Sequence, residues 1–174
     1  MAQITLTFLL LVSLSLGTLS CVMGTFDLVN KVCIINTSPP LCRAALRSDI
    51  RSAISNYTGL GYIALNLTRR HVTATGNYIK TLAAGKSHDQ GLIEPLNFCV
   101  QKYQEAIYAC TRAELSLGER YYEEFSRAGD AVSSIGKVCQ NEFKAIPSPV
   151  GGRNKVTVVF GDLIHSIAFF LSNA

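Results

Sequence analysis

The helical period running through residues 60 to 171 constrains this chain more than any other feature. Leu60, Ile63, Ala64, Leu67, His71, Ala74, Tyr78 and Leu82 recur every three or four positions, with Arg69, Arg70 and Lys80 elsewhere around the cylinder. That spacing predicts a long amphipathic helix. Gly85 to Gly91 breaks it by composition. A second stripe carries Leu92, Leu96, Cys99, Tyr103, Ile107 and Cys110 and runs to about Leu115, before a turn at Ser116-Leu117-Gly118. A third carries Tyr122, Phe125, Val132, Ile135, Cys139 and Phe143; it is interrupted by Gly129 and Gly136, whose missing side chains would let a neighbouring helix approach.

The connector Ala145-Ile-Pro-Ser-Pro-Val-Gly-Gly leads to a last stripe of Val156, Val159, Phe160, Leu163, Ile164, Ile167, Phe170 and Leu171, with Asn154 as its expected cap. Lys155 to Phe160 has strand propensity taken alone. Helix is preferred, because the stripe holds one period for about four turns and no second strand is available to pair with it. Four amphipathic helices on short connections predict an all-α, up-down-up-down four-helix bundle over about residues 58–172.

Ahead of the bundle, Cys33 and Cys42 enclose Asn-Thr-Ser-Pro-Pro. Two prolines fix φ and remove donors, while Asn and Ser offer local acceptors, so the chain should double back within a hairpin at residues 25–49. If these cysteines are oxidised, the hairpin is covalent. Cys99 and Cys110 lie about 16 Å apart along one helix and cannot pair. Reflection about a turn near 118 sets Cys99 opposite about 137 and Cys110 opposite about 126, which favours a Cys99–Cys139 bridge. Cys110 is then a free thiol on a buried stripe, read as a small core hydrophobe.

Disulfides need an oxidising compartment. Ile4 to Leu19 is nearly unbroken apolar sequence, short for a membrane span and followed by small residues, so residues 1–24 read as a signal peptide. Cleavage after Ser20 or after Gly24 fits equally, and Cys21 stays or goes accordingly. The remainder, 25–174, is the size of one domain. No membrane-spanning segment is expected after cleavage. Asn36-Thr-Ser, Asn56-Tyr-Thr and Asn66-Leu-Thr are sequons, meaningful in a secreted chain.

The net charge of +4 is modest and dispersed. Arg69-Arg70-His71 is too small a cluster for a nucleic-acid footprint. Ser87-His88-Asp89 names the members of a hydrolytic triad, but adjacent residues cannot adopt its geometry. His71, His88 and His165 have no metal-ligand spacing, and neither a CxxC motif nor a phosphate loop occurs. No cofactor or metal is expected. A stapled bundle presents rigid surfaces, so binding is the default function, with Glu119, Arg120 and Tyr121 near the turn as candidate anchors.

The hairpin cysteines, Leu46-Arg47-Ser48-Asp49 with Arg51-Ser52, Gly59-Leu60-Gly61-Tyr62-Ile63, Cys99 with Tyr103 and Ala106, and Cys139 with Phe143 together resemble the plant invertase and pectin methylesterase inhibitor family, including its pollen-allergen branch. The resemblance covers essentially the whole mature chain. It implies a bundle preceded by a disulfide-linked helical hairpin, with the same two bridges. It further implies a non-enzymatic secreted protein of the cell wall or apoplast, with the vacuole as an alternative, that blocks a carbohydrate-active enzyme as a monomer in a one-to-one complex.

Pectin methylesterase inhibitors of the family carry a threonine just before the frame cysteine of helix three, an acidic pair after it, and acidic residues after the frame cysteine of helix two. Here those positions hold Val138, then Gln140 and Asn141, and Gln101 and Tyr108, with only Glu105 acidic. Apoplastic invertase inhibitors carry Pro-Lys-Phe after the turn, where this chain has Arg120-Tyr121-Tyr122 and so keeps a base and an aromatic ring. Ser148-Pro149-Val150 and Arg153-Asn154-Lys155 are similar to the pollen-allergen branch. The resemblance therefore leans to invertase (beta-fructofuranosidase) as target. Pectin methylesterase is the alternative, and a non-inhibitory extracellular binding protein the second alternative.

Overall fold

A computed structural model describes residues 27–85, 90–144 and 146–174. The expected signal peptide with both cleavage points, Cys21 and the Ser87-His88-Asp89 stretch all fall outside them. The described residues contain helices and turns and no strand. In chain order they are α1 (27–34), α2 (Pro39–Arg47), a short 3-10 turn (Ile50–Ala53), α3 (Tyr57–Gly85), α4 (Gln90–Gly118), α5 (Tyr122–Glu142) and α6 (Gly151–Ser172). The last four form the bundle; α3 lies against α4 and α6, and α5 against α4 and α6.

The hairpin forms for local reasons. Proline occupies the first turn of α2, where its missing N–H is no loss. The Asn36 side chain accepts from the Ser38 amide at 2.9 Å, and the Cys33–Cys42 disulfide joins the arms at a Cα–Cα distance of 5.5 Å. Arg47 reaches across to Asn30 at 3.1 Å. Asp49 then caps the 3-10 turn, accepting from the Arg51 amide at 3.0 Å and from its guanidinium at 2.9 and 2.5 Å. The hydrogen bonds from Arg51 hold the Asp49 carboxyl down at about 2. The Arg-Ser-Asp segment is thus a structural clip.

Two further bonds fasten the hairpin to the bundle: Asn36 Nδ2 to the Val159 carbonyl at 3.1 Å, and Thr37 Oγ1 to Asp162 Oδ2 at 2.5 Å. Val29, Val32 and Leu46 join Leu60, Ile63, Leu163 and Ile167 in one apolar cluster. Asn36 is only 5% exposed. Its side-chain amide is committed to the Val159 carbonyl and the Ser38 amide.

A second cluster, around Val72, Ile79, Leu96, Val132 and Phe143, surrounds the Cys99–Cys139 bridge. On its α6 side the chain supplies polar groups. Asn154, expected as a cap, instead lies buried inside α6, whose N-cap is Val150. Its Oδ1 accepts from Tyr103 Oη at 2.9 Å, and Tyr103 Oη lies 2.8 Å from Thr157 Oγ1. His71 Nε2 lies 3.1 Å from the Arg153 carbonyl and 3.0 Å from Thr157 Oγ1. Burial pushes the Tyr103 phenol up to about 12.

Burial also lowers the His71 pKa from its ordinary 6.5, against the opposing hydrogen bond to the Arg153 carbonyl. Below 6.5 the unfolded chain takes up a proton that folded His71 resists. The stability present above pH 6.5 is therefore lost as pH falls toward the folded pKa. Thermal unfolding between pH 7.5 and pH 5 should show the midpoint falling, and His71→Gln should flatten that part of the profile. A midpoint constant in the wild-type chain would contradict it.

Helices α5 and α6 approach each other closely. A Cβ on Gly129 or Gly136 would lie 2.7 Å from the α6 carbonyl of Gly161 or Asn154, respectively. The expectation that these glycines admit a neighbour holds, and Gly161 is its counterpart on α6. By length and composition α6 could cross a bilayer, but half of its most apolar stretch is buried inside the bundle.

Candidate docking site

On the opposite side of α5, where it meets α4, the surface opens into a groove of about 580 Å³. Its floor is made of small residues, Ala109 on α4 with Ala128, Ala131 and Ser134 on α5. Larger side chains form its ends: Phe98 and Val138 sit at one, Arg112 and Glu124 at the other, as antiparallel reflection about the turn requires. The α4 lining recurs at 98, 102, 105, 109 and 112, the stripe beside the buried one that holds Cys99 and Tyr103.

Charges of both signs border the groove and satisfy one another. Lys102 pairs with Glu105 at 2.8 Å and lies 5.6 Å above the Phe98 ring. Arg127 pairs with Glu124 at 2.6 Å and with Glu123, while Arg112 lies 3.8 Å from Glu124. These pairs are solvated and contribute little to stability, less than about 1 kcal/mol each. Their effect is to keep the rim polar without a dominant sign. Tyr108 projects from this rim, 66% exposed.

The α4–α5 turn closes by two reversed backbone bonds, Tyr121 N–H to the Ser116 carbonyl at 2.8 Å and Arg120 N–H to the Leu117 carbonyl at 3.2 Å. This is the Schellman arrangement, which needs a left-handed residue at Arg120, where φ is +61°. Glycine is usual there; an arginine with a Cβ is strained by about 1 kcal/mol. Glu119, Arg120 and Tyr121 face solvent, and the Arg120 side chain makes no hydrogen bond or ion pair among the described residues. Tyr122 turns inward and packs on the first cluster.

The sequence-based site residues therefore separate. Glu105 and Tyr108 line the groove, and Gln101 is exposed on α4 outside its lining. Glu119, Arg120 and Tyr121 form the exposed turn. Gln140 and Asn141 sit about 27 Å from Tyr122 along α5. There they border a depression with Phe143 and Pro147, and Gln140 Oε1 accepts from Asn154 at 3.2 Å. Phe98, Lys102, Arg112, Glu124 and Arg127 were missed; the three- and four-residue spacing from Glu105 was the signal for those on α4.

Two constellations have the residue types of chemistry without its geometry. Ser126 Oγ and Asp130 Oδ1 both lie 3.0 Å from His165 Nδ1, so they compete for one nitrogen where a triad engages two. Cys110 is buried between helices, and desolvation raises its thiol to about 11, which leaves it uncharged and inert.

A stapled all-helical bundle with an open two-helix groove and a strained, exposed turn defines a rigid binding protein. The family follows from the comparisons. The model of the plant invertase/pectin methylesterase inhibitor family matches residues 27–164, and the chain belongs to that family of enzyme inhibitors. It is 28% identical over 144 residues to the "Cell wall / vacuolar inhibitor of fructosidase 2" of Arabidopsis thaliana, covering 81% of this chain and 80% of the relative. It is 27% identical over 143 residues to the "Pectinesterase inhibitor" of Actinidia deliciosa, covering 80% and 77%. Among solved structures, mutant form A of a pectin methylesterase inhibitor from Arabidopsis superposes with a TM-score of 0.74 at 19% identity, covering 81% of this chain and 95% of that one. A pectin methylesterase inhibitor from Arabidopsis thaliana gives 0.64 at 19% identity, covering 83% and 96%. These two likenesses concern the fold.

Proposed function

We propose that the chain is a monomeric inhibitor of a plant invertase, engaging it one-to-one through the α4–α5 turn and the adjoining groove. The observation that carries this reading is Arg120 in the left-handed conformation. It sets an unpaired cation and the 61% exposed Tyr121 ring outward on a fixed backbone, and such pre-organised aromatic and arginine anchors dominate binding energy where they occur. The similarity to a relative named for fructosidase inhibition supports it. The equal similarity to a pectinesterase inhibitor supports pectin methylesterase as the second reading. Residues 1–24 would direct the chain to the cell wall or apoplast, with the vacuole as the second destination.

The test is titration of the purified, oxidised chain against plant invertase and, separately, pectin methylesterase. Invertase activity should fall to completion at one equivalent, and Tyr121→Ala should weaken inhibition tenfold or more with the unfolding midpoint unchanged. Loss of pectin methylesterase activity alone would transfer the function to the second reading. Inhibition of neither would leave an extracellular binding protein that is not an inhibitor of these enzymes.

A further inference from the structure

We propose that Asn56 and Asn66 carry N-linked glycans, that Asn36 does not, and that the Asn66 glycan rests in the depression beside Tyr62. All three asparagines satisfy the same sequence rule, so the distinction comes from what each side chain does in the fold.

In the transfer, Asn Nδ2 attacks C1 of a lipid-diphosphate-linked oligosaccharide. The Nδ2–C1 bond forms as the bond from C1 to the diphosphate oxygen breaks, the diphosphate leaves with that electron pair, and the amide gives up one proton. Oδ1 is untouched. Asn56 is exposed and uses only Oδ1, which accepts from the Gly59 amide at 2.9 Å and caps the start of α3. Its capping role survives modification. Asn66 is exposed in the third turn of α3. It borders a depression of about 480 Å³ with Tyr62, one turn earlier on the helix, and Arg69. Tyr62 is 43% exposed, offering an aromatic face for the apolar side of a sugar ring, while Glu114, paired with Arg69 at 2.5 Å, lines the same depression with acceptors for its hydroxyls.

Asn36 differs at both ends of its amide. Nδ2 donates to Val159, 123 residues away in sequence, and Oδ1 accepts from Ser38, so a sugar on Nδ2 would stand between the hairpin and α6. The unfolded chain opposes transfer as well. Pro39 directly follows the sequon's Ser38 and restricts it to extended backbone, away from the bend that brings the hydroxyl to the asparagine amide. The Asn66 depression and the α4–α5 groove have no lining residue in common.

The experiment is site mapping on the full chain secreted from plant suspension cells, with glycans released enzymatically in heavy-oxygen water so that each occupied asparagine becomes a labelled aspartate. Label at 56 and 66 and none at 36 is expected. Label at 36, or its absence from either 56 or 66, would overturn the assignment. Intact mass gives the second measurement: Asn56→Gln and Asn66→Gln should each remove one glycan, and Asn36→Gln none. For the resting place, Tyr62→Ala should leave occupancy at 66 unchanged but abolish the drop in unfolding midpoint that Asn66→Gln causes; an undiminished drop in the Tyr62→Ala background would overturn it. These readouts do not depend on which enzyme is inhibited.

Discussion

Gly161→Ala is expected to destabilise the chain by about 3 kcal/mol, a loss at the upper end of what overpacking produces. The new Cβ would lie 2.3 Å from the Ser133 amide nitrogen and 2.6 Å from the Gly129 carbonyl oxygen. Both are backbone atoms of α5, so no side chain can rotate away and the two helices must separate. Alanine favours an isolated helix over glycine by about 1 kcal/mol, which offsets only part of that strain. The unfolding midpoint should fall by roughly 10 °C for a domain of this size. Gly152→Ala is the control: its Cβ would meet nothing within 4 Å, so the propensity gain should appear unopposed and raise the midpoint slightly. A Gly161→Ala midpoint equal to the control's would contradict the close α5–α6 approach.

Cys139→Ser should have an effect of similar size by a different route. The bridge to Cys99 closes a separation of 40 residues, and restricting an unfolded loop of that length contributes about 4 kcal/mol. The nine-residue hairpin bridge contributes about 3 kcal/mol by the same reasoning. Cys110→Ser, at an equally buried position with no bridge, should cost about 1 kcal/mol, because the hydroxyl can bond back to a carbonyl of its own helix. Urea unfolding of the three proteins without reductant separates the cases. With reductant, which opens the hairpin bridge in both proteins, the wild-type chain and the Cys139→Ser variant should converge. A Cys110→Ser loss as large as that of Cys139→Ser would place the constraint elsewhere.

The bundle was legible because its helices keep one period for many turns and its turns contain glycine. The Cys99–Cys139 bridge was legible because an antiparallel pair is symmetric about its turn. Individual core positions were less so. Along α3 the expected stripe is buried at Leu60, Ile63 and Ala64, but beyond them it drifts off the core: Tyr78 is 39% exposed and the buried positions are Thr68, Val72, Thr75, Gly76, Ile79 and Ala83. The core there is lined by small and hydroxyl-bearing residues, which a search for apolar side chains passes over. Asn154 was misplaced for a related reason: a polar residue near a helix start reads as a cap, and its partner Tyr103 is 51 residues away.

Of the candidate site, the turn residues were legible because turns are a local property, while Tyr108 entered through the family resemblance and not through the period of its helix. The groove did not. It is a space left by alanines and a serine on two helices, and its shape depends on how closely those helices pack. Asn36 shows the same limit, since a sequon says nothing of a carbonyl on α6.

The polar contacts of α6 determine where that helix stops. An apolar surface is nearly interchangeable with itself one turn along, so α6 packed by apolar contacts alone would have competing positions about 5.4 Å apart. Sliding it by a turn would take Asn154 and Thr157 away from Tyr103 and His71. Each polar atom left buried without a partner then costs about 1–3 kcal/mol, while the correct seating satisfies them together. The Tyr103–Asn154–Thr157–His71 network thus acts as a detent, and it fixes α6 at the height where its Val159 carbonyl meets Asn36 and its Gly161 meets α5.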